Sequence, residues 1–226
     1  MKKLLLAVAL AACTASVSAA PTAVLKVKGT LTNAACTPAL SNSGIVDYGT
    51  IQLSELSDSA VNQLGQKNID LTITCGAATK VSWNLVDDKA STRAGIAVAN
   101  GTFTNDTVSA ANQTYGVGNT TADMPVAIGN YSLFVKVGSV TADSATADTI
   151  YMLGNNNAWS KSTDGATQGE NNRDITVAAS GTTEPLAFNT ATFPLVTSLA
   201  IQNTTTLDIT DDTDLDGQLT ISLRYL

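Results

Sequence analysis

The 226-residue sequence has no histidine, five prolines, 5% aromatic residues and 14% charged residues. Without imidazole there can be no Ser-His-Asp triad, Cys-His dyad or HExxH zinc site, and no side chain with an ordinary pKa suited to base catalysis near neutrality. Carboxylates remain, but poorly placed for paired acid–base work. Glu55, Glu170 and Glu184 stand alone, while Asp87-Asp88 and Asp211-Asp212 are adjacent doublets, whose members point to opposite faces if extended. An enzyme is not expected, and no cofactor is implied. So little charge excludes a coiled coil, and 44% apolar content excludes a disordered chain. Basic surface is lacking as well: 12 Lys and Arg face 19 Asp and Glu, a net charge of −7. With no basic cluster, neither a phosphate backbone nor an anionic membrane surface is an expected partner.

The chain does have 33 threonines. This β-branched excess favours extended structure, because Thr loses rotamer freedom in a helical turn. Period-two alternation marks strands at Leu25–Leu31, Ile69–Cys75, Val81–Leu85, Tyr131–Val137 and Leu219–Leu226, each half-buried. The Asn-, Gly-, Ser-, Thr- and Asp-rich stretches Asn100–Asp123, Thr141–Asp148 and Gly154–Asn172 read as loops or hairpin connections. Ser54–Leu64, with apolar residues at 56, 60, 61 and 64, is the best helical candidate. No linker divides the chain, and strands separated by turn clusters predict one antiparallel β-sandwich domain.

At the N-terminus, Lys2-Lys3 precede the apolar run Leu4–Ala12, which is too brief to span a bilayer, and small residues lead to Ala19. Residues 1–19 are therefore expected to be a secretory signal and residues 20–226 the mature domain. In an alternative reading, Leu10-Ala11-Ala12-Cys13 is a lipobox, and Cys13 carries a lipid anchor. Without Cys13, Cys36 and Cys75 form an even pair in an oxidising compartment, which predicts one disulfide.

Two binding motifs compete with bland readings. Asp212, Asp214 and Asp216 with Gly217 match the first half of an EF-hand loop, but Leu223 stands where the bidentate Glu belongs, so a turn before a strand is favoured over a metal site. Trp83, Trp159, Tyr115, Tyr131 and Tyr151 could stack on sugars, with Asn155-Asn156-Asn157-Ala158-Trp159 the most suggestive stretch. Core packing is the favoured alternative.

Val27-Lys28-Gly29-Thr30-Leu31-Thr32-Asn33-Ala34-Ala35-Cys36, the second cysteine at Cys75 and the penultimate Tyr225 resemble chaperone–usher pilins. Cys36-Thr37-Pro38, Gly44–Gly49, Ile73-Thr74-Cys75, Ala158-Trp159-Ser160 and Leu215-Asp216-Gly217 resemble the proteobacterial beta-fimbrial family more closely. The resemblance implies an immunoglobulin-like sandwich of pilin type that lacks its last strand. The missing strand would come first from a periplasmic chaperone, pairing with Leu219, Ile221, Leu223 and Tyr225 and holding the Leu226 carboxylate. At an outer-membrane usher, a neighbouring fimbrial subunit's extension, bearing Leu25 and Val27, would replace it. The chain would then reach the cell surface in a fimbrium and contribute to adhesion. The extension before Gly29 is short, and Thr213 stands where pilins carry a glycine. A self-complete adhesin binding host or surface glycans is thus the alternative.

Overall fold

The computed structural model describes residues 26–28, 35–154, 156 and 158–226. Residues 1–19, expected to be a secretory signal, Cys13 among them, and Leu25 lie outside them. Lys26, Val27 and Lys28 are exposed and belong to no strand. From Ala34 to Leu226 the chain forms one compact unit.

Among the described residues twelve strands follow in order: β1 (Cys36–Leu40), β2 (Asn62–Thr79), β3 (Val81–Asp87), β4 (Tyr115–Gly116), β5 (Gly129–Val135), β6 (Thr141–Ala142), β7 (Ala145–Thr146), β8 (Asp148–Leu153), β9 (Ser160–Lys161), β10 (Arg173–Ala178), β11 (Phe188–Ile201) and β12 (Leu219–Tyr225). They form two antiparallel sheets. One has the order β1-β2-β11-β5-β4, with β6 and β7 appended beside β11; the other runs β12-β3-β10-β8-β9. The all-β, sandwich-like expectation therefore holds, and Cys36 is bonded to Cys75 across the β1–β2 pair.

The inner faces meet in one main core. Trp83 of β3, fully buried, sets its ring edge-on to Phe193 of β11, with centroids 5.7 Å apart. Ile69, Leu71 and Ile73 of β2 and Leu195 of β11 pack around them. Each such side chain contributes about 1.5–3 kcal/mol on burial. A smaller cluster of Val117, Ile128, Leu199, Ile201 and Leu207 continues past the end of this core.

Three differences from the sequence reading have clear causes. Ser54–Leu64 is not helical: a single 3-10 turn at Leu53–Glu55 gives way to β2 at Asn62. Polar side chains capture the backbone there, since Ser57 Oγ accepts from the Ser59 and Ala60 amides and Asn62 Oδ1 from the Ser57 amide. Strand β5 stops at Val135, and Val137 begins a short 3-10 turn. Finally, β8, β10 and β11 lie outside the strands read from the sequence. The second half of β11 is buried throughout, with no wet face to alternate with; β10 is buried throughout as well, but its Asp174 and Thr176 do alternate with Ile175 and Val177, a short run the sequence reading passed over. Pro194 also disguises β11, the strand that pairs with β2, β5 and β6. Its carbonyl accepts from the Lys136 amide, so its missing N–H faces the same side, in the gap between the ends of β6 and β5.

Candidate strand-docking groove

Strand β12 closes one edge of its sheet and pairs with β3 from Leu219↔Asp87 to Tyr225↔Val81. The Asp88 amide bonds to the Gln218 carbonyl and the Leu226 amide to the Lys80 carbonyl, both at 3.1 Å. These flanking bonds place the even residues of β12 in the hydrogen-bonded positions against β3. The N–H and C=O groups of Leu219, Ile221, Leu223 and Tyr225 therefore point away from β3, toward the open edge. No strand pairs with that edge among the described residues. The same odd positions turn their side chains inward, yet Leu219, Ile221 and Leu223 are half-buried and Tyr225 is exposed.

Several contacts hold β12 in place while leaving this edge free. Asp88 accepts from Gln218 Nε2 at 3.0 Å and Thr220 Oγ1 at 2.7 Å. Arg224 is ion-paired with the buried Asp174, whose other oxygen accepts from Asn84 at 2.8 Å. Ahead of the strand, Lys89 pairs with Asp216, whose amide donates to the Val117 carbonyl at 2.8 Å. At the far end, the Cys36 amide donates to the Tyr225 hydroxyl at 2.8 Å, so the free edges of β1 and β12 converge there.

Away from that junction the two edges part around a cavity of about 700 Å³. Ile69, Leu133, Leu195 and Leu199 from the opposite sheet line it, with Leu40 and the segment Val46–Ile51 from the β1 side and Leu219 and Ile221 from the β12 side. Tyr48 also lines it, its hydroxyl 3.0 Å from Thr197 Oγ1. Burial raises the phenol pKa of Tyr48, partly offset by that hydrogen bond, so it stays neutral and behaves as a polar-tipped apolar wall. Tyr131 is raised further, by burial first and nearby carboxylates second. The acids of the lining are Asp47 on one side and Asp211, Asp212 and Asp214 on the other; it contains no Lys or Arg among the described residues.

This arrangement contains ladder groups, apolar sockets and a charged border, and it can therefore bind an extended chain. The strand-pairing residues read from the sequence, Leu219, Ile221, Leu223 and Tyr225, come together here, and Leu226 lies just beyond, half exposed. Of the donor positions, Leu25 lies outside the described residues and Val27 is 90% exposed. Of the weak metal candidates, Asp216 is ion-paired with Lys89, while Asp212 and Asp214 line the groove.

The aromatic residues mostly follow the core reading. Trp83 and Tyr115 are buried, Tyr115 with its hydroxyl 2.6 Å from Thr167 Oγ1, and Trp159 is half-buried. Asn155 and Asn157 lie outside the described residues. The doublet Asp87-Asp88 splits as strand geometry requires. Asp87 is buried, accepting from the Gly116 amide at 3.1 Å and the Lys89 amide at 2.9 Å, while Asp88 holds β12.

Sequence reasoning missed the opposite wall of the groove, because Leu195 and Leu199 sit in the unrecognised β11. It also missed Asp47 and Tyr48, although both lie in the Gly44–Gly49 motif noted for its resemblance.

The model of a family described as "Protein of unknown function (DUF1120)" matches residues 25–132. "Uncharacterized protein YhcF" of Escherichia coli (strain K12) is 30% identical over 230 residues, covering 93% of each chain. "Protein GltF" of the same organism is 29% identical over 225 residues, covering 89% of this chain and 87% of its own. Neither name states an activity.

Proposed function

We propose, for a chain that belongs to the DUF1120 family, a role as a secreted structural or accessory fimbrial subunit that works by strand exchange. In this reading the fold is an immunoglobulin-like sandwich of pilin type, one strand short. Residues 1–19 direct export, the mature domain begins at Ala20, and its destination is a surface fimbrium serving adhesion. A periplasmic chaperone supplies the missing strand, and at the outer-membrane usher a neighbouring subunit replaces it.

One observation carries the reading: the residues of β12 whose apolar side chains reach toward the cavity are the same ones whose main-chain groups face the open edge. A backbone group buried without a partner costs about 1–3 kcal/mol. An added strand satisfies those groups and fills the sockets in one step. No reacting group is required, which accords with a groove lined by aliphatic residues, tyrosines, threonines and carboxylates.

Co-purification from the periplasm tests this. A chaperone recovered in stoichiometric amount, and lost when Leu219–Leu226 are deleted, is the expected result. A stable soluble monomer that never acquires a partner would refute it.

A further inference from the structure

We infer that Arg173 holds a small monovalent anion of the halide class between the two sheets. This site stands apart from strand exchange, since neither Arg173 nor Thr149, its second donor, lines the groove beside β12.

Arg173 opens β10 on the same parity as Ile175 and Val177, both core residues, so its side chain enters the interior. It is 5% exposed. A guanidinium keeps its proton in any protein setting, and a buried charge is costly unless something of opposite sign meets it. Among the described residues no carboxylate is ion-paired with Arg173. Its chain neighbour Asp174 points to the opposite face of the sheet and is paired with Arg224. Asp87, an interior carboxyl on β3, accepts from the Gly116 and Lys89 amides and lies 4.0 Å from Arg93. Tyr115 offers no negative charge either, because burial raises its phenol pKa and keeps it neutral.

The contacts that Arg173 does make leave one edge of the guanidinium free. Its central carbon lies 3.8 Å from the centre of the Tyr151 ring, and Nη1 donates to the Ala166 carbonyl at 2.7 Å. Nε is buried and has no partner among the described residues. It shares with Nη2 the edge by which a guanidinium takes an anion side-on, through two N–H groups. Thr149, two residues before Tyr151 on the same face of β8, supplies another donor, since its hydroxyl is also buried and without a partner among the described residues. The turn at residues 162–166 links the two positions: the Ser162 amide donates to the Thr149 carbonyl at 2.9 Å, and Ala166 accepts from Arg173. Positive charge and free donors call for an anion. Because Nε is closed to solvent, a single-atom ion is favoured over phosphate, sulfate or a partner's carboxylate, and one negative charge balances the one positive charge present.

Thermal melts of the mature chain test this, with sodium gluconate replaced stepwise by sodium chloride at constant ionic strength, together with crystals grown in bromide. An anion held by the folded chain with a Kd of about 10 mM should raise Tm by roughly 3–4 °C at about 100 mM chloride. Bromide should give an anomalous-scattering peak in contact with Arg173 Nε. Arg173→Met should abolish the chloride response, whereas Lys161→Met, which removes a surface cation, should keep it. Thr149→Val should weaken binding by about tenfold, and it serves as the reporter where Arg173→Met does not fold.

Equal Tm in chloride and gluconate, with no bromide peak at Arg173, would mean that water alone satisfies Nε and would overturn the site. A chloride response that survives in Arg173→Met, one that is unchanged in Thr149→Val, or a bromide peak found only elsewhere would overturn it as well.

Discussion

Replacing both Cys36 and Cys75 by Ala should cost about 4 kcal/mol, and the route of that loss is specific. The bond joins residues 39 positions apart. On the chain-entropy model, closing a loop of that length removes about 13 cal/mol/K from the denatured ensemble, or about 4 kcal/mol at 25 °C. Spread over a unit of roughly 190 residues, whose unfolding entropy near its midpoint is about 0.4 kcal/mol/K, this lowers Tm by about 10 °C.

The structure adds a local consequence. Strand β1 has five residues and pairs with β2 alone, so without the bond it should open before the rest of the sheet. Amide exchange at Thr37 and Ala39, whose main-chain groups face β2, should then speed up more than exchange at Ile73 of β2, which is fully buried. Urea unfolding of wild type and the double variant gives the free energy, and exchange monitored by NMR gives the order of events. A loss under about 1 kcal/mol, or equal acceleration in β1 and β2, would refute the reasoning. The first result would show that the denatured chain already keeps this loop closed.

Two further outcomes follow from single groups. Burial lifts the Asp87 carboxyl above the ordinary 3.8, against hydrogen bonds from the Gly116 and Lys89 amides and the nearby Arg93 cation. The folded chain therefore holds a proton that the unfolded chain releases. Stability from this group falls as pH rises from 3.8 through the folded value, and urea titrations should show that slope in wild type but not in Asp87→Asn. Gly165 has φ +66°, and a Cβ there would overlap the Val135 carbonyl, while its own carbonyl accepts from the Val135 amide at 2.8 Å. Gly165→Ala should lose about 3 kcal/mol or more in thermal melts; a variant within about 1 kcal/mol of wild type would contradict that geometry.

Legibility followed burial geometry. Where one face is buried and the other wet, as at Ile69–Cys75 and Leu219–Tyr225, alternation is written locally and the strands are readable. Where both faces are covered, as in the second half of β11, the pattern vanishes, and a proline at a pairing gap adds a false stop; in β10 the alternation of Asp174 and Thr176 with Ile175 and Val177 was short and was passed over. The groove suffered in proportion. Its β12 side was visible as an alternating C-terminal run, while the wall formed by Leu195 and Leu199 and the tyrosine at 48 were not.

Composition alone settles that no imidazole chemistry exists in this chain, because a missing residue type is missing in every fold. Once Cys13 is set aside, the cysteine count likewise left one possible pairing, which the fold contains. Tertiary structure decided which edge stays open, which aliphatic residues face it and where the carboxylates gather. Those properties join Val46, Leu133, Leu195 and Ile221, residues far apart along the chain. Local preference reaches a few neighbours, whereas a groove between two sheets exists once long loops have closed and strand registers are set.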